Sequence, residues 1–204
     1  MRIEEIKRSE RKKGRILIKL DSGDLLRVTE EELLRFGLSV GMDLEEEQLE
    51  ELKASARRSS ARVAAANMIG SRALSKKELQ RRLVRKGSDE DAARDAADWL
   101  EDIGAVDDAN YAAVLVRHYG QRGYGPARVR EELRRRGVPR ELWDEAMAEI
   151  PESDEILDAL IRKKCRGDLS DPKELKRVSD GLLRRGFSWG EVRAALSRYT
   201  EIEE

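Results

Sequence analysis

A single cysteine, Cys165, and a single histidine, His118, are all that this chain offers to soft-metal or thiol chemistry. No intrachain disulfide is possible, which fits a reducing compartment. No cluster of His and Cys with metal-ligand spacing exists, and His118 falls late in a predicted helix, where a solvated imidazole is the ordinary reading. Aromatic residues are scarce, at 4%, while charged residues reach 41%. That mixture suits thin helical units more than one thick core. No apolar run approaches the ~20 residues that span a bilayer. The start of the chain, from Met1 to Lys13, lacks the apolar centre of a secretory signal. A cytosolic protein with no membrane partner is the expectation. Excess charge of either sign is also missing, with 41 Lys and Arg against 42 Asp and Glu, so the whole chain is no obvious polyanion binder. The balance is uneven, however: net −3 over residues 1–54, +3 over 55–150 and −1 over 151–204.

What is present is repetition. Leu79-x3-Leu83-x3-Gly87, Val129-x3-Leu133-x3-Gly137 and Val178-x3-Leu182-x3-Gly186 share one spacing, and a second apolar face follows each glycine: Ala93 and Ala97, Trp143 and Met147, Val192 and Leu196. A period of roughly 50 residues indicates one small helical unit used three times. Such arrays are surfaces for large partners more often than vessels for chemistry. The glycines read as helix C-caps, where the chain turns through a left-handed conformation.

Ahead of the repeats, residues 15–20 read as a strand with Ile16, Ile18 and Leu20 on one face, and residues 25–28 return as its hairpin partner. Thr29-Glu-Glu-Glu32 fits a capping box. Everything beyond Asp43 looks helical. An acidic segment, 44–52, precedes an Ala-rich helix from Ala54 that ends at Gly70. Further helix starts are marked by Ser75-x-x-Glu78, Asp171-Pro172, Gly125-Pro126 and Ser188-x-x-Glu191, with Asp108 as the cap of the helix 108–119. The predicted fold class is mainly α: tandem three-helix repeats in an elongated, curved array behind a small hairpin-containing head. The predicted boundaries are 1–53 for the head, then 54–104, 105–152 and 153–204.

No constellation of nucleophile, base and orienting group emerges, so an enzyme is not expected, and neither is a cofactor. Gly120-Gln-Arg-Gly123-Tyr-Gly125 lacks the Gly-Lys-Ser/Thr ending of a phosphate loop and runs into Pro126; it reads as a turn between helices. The chemical signal is charge segregation. The middle helix of each repeat is basic and the trailing helices of the first two are acidic. Helix dipoles favour part of this pattern, by ~0.3–1 kcal/mol per charge. The functional alternative is a track for an extended anionic partner.

On these residues the sequence resembles the RecX family of bacterial recombination regulators. The likeness runs from Ser75-Lys-Lys-Glu-Leu-Gln-Arg-Arg-Leu-Val-Arg-Lys-Gly87 through Val106-Asp-Asp108, Tyr111-Ala112, Arg117, Gly123-Tyr-Gly-Pro126 and Arg130-Glu-Glu-Leu-Arg-Arg-Arg-Gly137 to Leu183-Arg-Arg-Gly-Phe-Ser-Trp-Gly-Glu-Val192. No single motif is specific; the ordered set is. Ser88 departs from the large apolar residue common in the family, and Ala93 and Ala97 leave the first hairpin core thin. The resemblance implies a monomeric, non-enzymatic protein of DNA repair and homologous recombination. Its implied partner is the RecA recombinase filament on single-stranded DNA, whose groove it would enter to dampen ATPase, strand exchange and extension.

The residues expected to meet filament or DNA are Arg128, Arg130, Arg134 and Arg135 in the central repeat, Arg81, Arg82 and Arg85 in the first, and Lys176 and Arg184 in the third. Tyr124, a large aromatic on a turn, joins them. Two other classes stay open: a general single-stranded nucleic-acid binder and a helical scaffold for another protein.

Overall fold

The computed structural model describes residues 1–10, 14–150 and 152–200. The chain divides into two compact units, one of Met1–Ala73 with Glu78–Val106, the other of Leu74–Lys77 with Asp107–Glu204. In the first unit an antiparallel sheet runs in the order β1 (Ile3–Arg8), β2 (Arg15–Leu20), β3 (Leu25–Thr29). The expected hairpin is β2–β3. The first strand has no counterpart in the sequence reading, because Ile3-Glu-Glu-Ile-Lys-Arg carries only two apolar residues in a charged stretch. Its pairing is supplied from outside: it runs along β2, and the Ile3 N–H donates to the Met42 carbonyl at 2.9 Å. The inward face of the sheet, Ile3, Ile16, Ile18, Leu20 and Val28, is buried with Leu38, Leu44, Leu49 and Leu52. Thr29 caps α1 (Glu30–Arg35) through a reciprocal box with Glu32, as the sequence indicates.

One helix, α2 (Glu46–Ser71), replaces the two expected around residue 53 and runs past Gly70. Nothing between Glu46 and Ile69 breaks it: that stretch has neither proline nor glycine. Its N-terminal half buries Leu49 and Leu52 against the sheet. Its C-terminal half carries buried Ala61, Ala65 and Met68, and α4 (Glu90–Asp102) packs along it. The thin Ala93 and Ala97 face is no defect here. Both residues are fully buried, because small side chains let α4 approach α2 closely. Arg62 of α2 closes that seam, bonded through two nitrogens to Asp95 at 2.9 and 3.2 Å and lying over the Trp99 ring. Between these two helices in sequence comes α3 (Lys76–Arg85), which buries Leu79 and Leu83.

The second unit contains two three-helix sets. In one, α5 (Asp108–Gln121), α6 (Pro126–Arg136) and α7 (Trp143–Met147) enclose Leu115, Val116, Val129, Leu133, Trp143 and Met147. A 3-10 turn, Arg140–Leu142, leads into α7. In the other, α8 (Ser153–Lys164), α9 (Pro172–Leu183) and α10 (Trp189–Thr200) enclose Leu157, Ile161, Val178, Leu182, Phe187, Val192 and Leu196. Leu133 and Leu182 are wholly buried; truncating such a leucine to alanine costs about 2–5 kcal/mol.

Gly87, Gly137 and Gly186 all sit at positive φ, and after each the next residue's N–H returns to the leucine carbonyl one turn back: Ser88 to Leu83, Val138 to Leu133, Phe187 to Leu182. The glycine-centred motif is therefore a helix-ending turn used three times. Asp171 and the Ser188–Glu191 box cap α9 and α10, as the sequence indicates. Asp108 departs from its expected role. Asp107 caps α5 by accepting from the Asn110 N–H, and Asp108, one residue inside the helix, accepts from the Lys76 N–H at 2.8 Å instead. In the paired aspartates the first occupies the extended position a cap requires, which frees the second to reach another segment.

Candidate functional site

The backbone brings two of the predicted basic helices together at one junction of the second unit. Gly125, just before α6, donates its N–H to the Arg185 carbonyl at 2.9 Å, and the Ala127 N–H donates to the Gly186 carbonyl at 3.1 Å. The glycines are in direct contact. A Cβ on Gly125 would lie 2.5 Å from the Gly186 carbonyl carbon, and one on Gly186 would lie 2.4 Å from the Arg128 nitrogen. The first turn of α6 thus seats on the end of α9, which sets the Arg128 backbone against Gly186.

Cations gather there. Arg185 donates to the Arg122 and Gly123 carbonyls, each at 3.0 Å, and lies over the Tyr124 ring. At the end of α8, the Lys164 ammonium sits about 3.1 Å from where a Gly181 side chain would begin. Burial, and then the charges of Arg185, Arg184 and Arg177, hold the Lys164 amine below its ordinary range. Like charges at this spacing repel unless an anion joins them. Arg130 is exposed and, among the described residues, makes no ion pair. Burial pushes the Glu191 carboxyl up, but the Ser188 N–H and hydroxyl and the Ser153 hydroxyl outweigh it, with a smaller contribution from the charge of Arg130, and leave the group lowered. Close to Glu191 in sequence, Trp189 is the most exposed tryptophan of the chain, at 60%.

The rest of α6 is more neutral than its five arginines suggest. Glu132 is buried, with 2% of its side chain exposed, and collects Arg135 at 2.6 Å, Arg128 at 3.3 Å and Arg136 at 3.7 Å. Burial pushes the Glu132 carboxyl up, but the hydrogen bond and charge of Arg135, the Tyr119 hydroxyl and Arg128 outweigh it and leave the group lowered. Arg134 pairs with Glu131 at 2.8 Å. Arg136 donates to the Tyr111 hydroxyl. The sequence shows the arginines and hides the hub, because a glutamate in a charged helix looks solvated.

The remaining predicted residues lie elsewhere. Tyr124 packs on Tyr119, ring centres 5.4 Å apart, at the edge of the α5–α7 core. Lys176 is exposed on α9, and Arg184 is exposed just beyond it. In the first unit, Arg82 bonds Glu78, Arg85 reaches the Arg81 carbonyl, and Arg82 and Arg85 line a shallow groove with Arg72, Lys86, Asn67 and Met68. The structure therefore brings the start of α6, with Arg128, to the end of α9, just beyond which Arg184 stands, whereas Arg81, Arg82 and Arg85 belong to the first unit. Lys164 and Arg185 are absent from the sequence-based set. Gly181, a glycine inside a helix, is the available signal for Lys164, since such a residue marks a close approach. Among the described residues no group of His, Cys, Asp and Glu could hold a metal ion, and no helix is long and apolar enough to cross a membrane.

Consecutive three-helix units with a cation-lined junction, behind a small sheet, define a helical-repeat protein suited to binding a large partner. Models of known families are more specific. The second three-helix domain of RecX matches residues 107–147, and the third matches 152–196. The RecX regulatory protein of Xanthomonas axonopodis pv. citri is 37% identical over 123 residues, covering 59% of this chain and 76% of the relative. That of Halorhodospira halophila is 35% identical over 133 residues, 64% of this chain and 82% of the relative. That of Streptococcus equi subsp. zooepidemicus is 29% identical but extends over 95% of this chain and 76% of its own. A crystal structure of a RecX regulatory protein superposes with a TM-score of 0.73 at 24% identity, covering 96% of this chain and 98% of its own; Lactobacillus salivarius RecX gives 0.61 at 19% identity, over 71% and 97%. These two likenesses concern the fold. The chain belongs to the RecX family of regulatory proteins.

Proposed function

We propose that this protein binds the RecA recombinase filament on single-stranded DNA, in the filament groove, and dampens ATPase, strand exchange and filament extension. The observation that carries the site is the grouping of Lys164, Arg184 and Arg185 around the end of α9, onto which the first turn of α6 seats at the Gly125–Gly186 contact, with Arg130 of α6 exposed and without an ion pair among the described residues. Family membership supplies the partner class. A local excess of cations in a chain of net charge −1 attracts phosphates or acidic loops over short range without giving the whole protein strong affinity for free DNA. In this reading the protein acts as a cytoplasmic monomer and non-enzymatic regulator. It works as a head and three repeats, with α2 (Glu46–Ser71) running across the expected 53/54 boundary and later repeats over 105–152 and 153–204. In this reading Arg134, Arg135, Lys176 and Tyr124 are further contact residues of the second unit, and Arg81, Arg82 and Arg85 are contact residues carried by the first unit.

The test is a recombinase ATPase assay on preformed filaments, titrated with wild-type protein and with the Arg130→Glu/Arg184→Glu double variant. The variant should need at least about tenfold more protein for half-inhibition while keeping its helical circular dichroism, as expected for loss of two phosphate or carboxylate contacts. Unchanged inhibition by the folded variant would refute the site. A parallel titration of naked single-stranded DNA over a salt series separates this reading from general nucleic-acid binding, which predicts a steep salt slope without recombinase.

A further inference from the structure

We infer that the open edge of the N-terminal sheet, with the groove between β3 and α2, is a docking strip for an extended acidic segment of a partner protein. The ladder fixes which backbone groups are available. The Leu20 N–H donates to the Asp24 carbonyl at 2.9 Å, whereas the Ser9 N–H donates to the Arg15 carbonyl at 2.8 Å. Even-numbered residues of β2 therefore bond β3, and odd-numbered ones bond β1. With Lys19 opposite Leu25 and Leu17 opposite Arg27, the N–H and C=O groups of Leu25 and Arg27 face away from β2. Among the described residues they have no hydrogen-bond partner. The opposite edge is covered at its start: the Ile3 N–H donates to Met42, the Gly41 N–H donates to the Ile3 carbonyl, and Arg2 bridges Asp43. A sheet edge left open is a template for another strand, and proteins that do not use such an edge cover or blunt it.

The groove beside that edge has a matching shape and charge. One face of α2 lines it from Lys53 through Arg57, Ser60 and Ala64 to Asn67, and the Lys86–Asp89 turn closes its far end. At ~1.5 Å per residue that face is roughly 21 Å long, the length of about six extended residues. Small side chains at Ala56, Ser60 and Ala64 leave room for a backbone. Five cations line it, Arg15, Arg27, Lys53, Arg57 and Lys86, against the single carboxylate of Asp89. Lys53 pairs with Glu50 and Arg57 with Asp89, but among the described residues Arg27 and Lys86 make no ion pair. Exposed Leu25 and Val63, at 52% and 51%, supply apolar contact for alternate side chains of a guest strand.

The charge selects the occupant. A second copy of this edge would set Arg27 and its neighbours against their like, which is destabilising across a ladder. A nucleic-acid strand would find phosphate contacts but no aromatic platform, since among the described residues no aromatic lines the groove. An acidic strand takes its affinity from the main-chain bonds of Leu25 and Arg27 and its selection from the cations. This strip belongs to the first unit and does not depend on the proposed filament activity.

The probe is a fluorescein-labelled eight-residue peptide of alternating glutamate and valine, added to the full-length protein and followed by fluorescence polarisation. Saturable 1:1 binding is expected. Arg27→Pro should weaken it at least about tenfold, since the proline removes only the outward-facing N–H, the one place where an edge strand tolerates it. Arg27→Lys should keep binding within about twofold, and Lys86→Glu should weaken it at low salt. In the wild-type protein, bound peptide should slow amide exchange at Leu25 and Arg27, a readout independent of whether the proline variant folds. The inference is overturned by absence of saturable binding, by unchanged exchange at those two amides with peptide bound, by competition from unlabelled oligo-dT, or by dimerisation in place of peptide uptake.

Discussion

Gly87, Gly125 and Gly186 separate two costs that are usually confounded. Gly87 sits at φ +96°, and among the described residues nothing lies within 4 Å of a methyl group added there, so Gly87→Ala bears only the left-handed backbone cost. Gly125 has an ordinary φ of −76°, but its Cβ would lie 2.5 Å from the carbonyl of Gly186, so Gly125→Ala bears only crowding. Gly186, at φ +91° and 2.4 Å from the Arg128 nitrogen, bears both. The left-handed cost for an L-residue is about 1–2 kcal/mol. Crowding against backbone, which yields less than a side-chain end, is about 1–3 kcal/mol. The expected order is therefore Gly87→Ala least and Gly186→Ala most, the latter at about 2–5 kcal/mol. Because Gly125 and Gly186 share one contact, the double variant should cost less than the sum of its parts. Hydrogen exchange read by mass spectrometry reports the units separately: Gly186→Ala should lose protection over α5–α10, and Gly87→Ala over α3 and α4. Equal destabilisation by Gly87→Ala and Gly186→Ala would show that the close backbone approach does not hold, and the cation junction built on it would fall with it.

Glu132 and Lys164 give two more tests in the second unit. Removing the buried Glu132 carboxylate by Glu132→Gln should destabilise by about 1–3 kcal/mol, below the value for a fully buried ion pair, because its arginine partners reach water. Since the folded carboxyl lies below its ordinary value of 4.5, the stability it contributes is present above about pH 4.5 and is lost as pH falls below it; urea midpoints between about pH 3 and 7 should show wild type losing its advantage over Glu132→Gln only at the acid end. Lys164, with its amine held below the ordinary range, carries more neutral amine at a given pH than a free lysine side chain does. An amine-directed acylating reagent in mildly alkaline buffer should modify it ahead of Lys163 and Lys176, and peptide mapping that finds Lys164 no faster would refute the crowded-cation environment.

The helices are legible in the sequence wherever local chemistry decides them. Thr29, Asp171 and Ser188 announce helix starts, and the three repeat glycines announce helix ends, because capping needs only neighbours in sequence. The apolar pairs around each glycine are equally readable, since a helical hairpin buries what its own turns place on one face. The first strand is not readable. Ile3–Arg8 becomes a strand through partners some ten to forty residues away, and its own composition argues for a charged tail. The helix break expected near residue 53 fails for the opposite reason: a change from acidic to Ala-rich composition marks a change of packing partner, from sheet to α4, and not a change of backbone direction. At the site, arginine positions are visible but their pairing is not. Glu131 and Glu132 follow each other in sequence, yet one is half-buried beside Arg134 and the other is sealed beneath three arginines. Only the packing of α6 on α5 decides which.

That pairing alters how charge should be counted in a chain with nearly as many acids as bases. The arginine content of a helix measures its attraction for an anion only after internal carboxylates are subtracted. On α6, Glu131 and Glu132 engage Arg128, Arg134, Arg135 and Arg136, leaving Arg130 as the cation without a salt bridge among the described residues. Arg184 and Lys164 gain their weight differently: Lys164, at the end of α8, lies against Gly181 of α9, among the charges of Arg185, Arg184 and Arg177. Like charges grouped this way favour the neutral form of Lys164, and an incoming anion would relieve the same repulsion. Charge reversal at an arginine already paired, such as Arg134→Glu, should therefore weaken filament inhibition less than reversal at Arg130 or Arg184, although all three are exposed. Half-inhibition concentrations from the recombinase ATPase assay rank the three directly, and a larger loss at Arg134 than at Arg130 would show that pairing in the free protein does not set the contribution to binding.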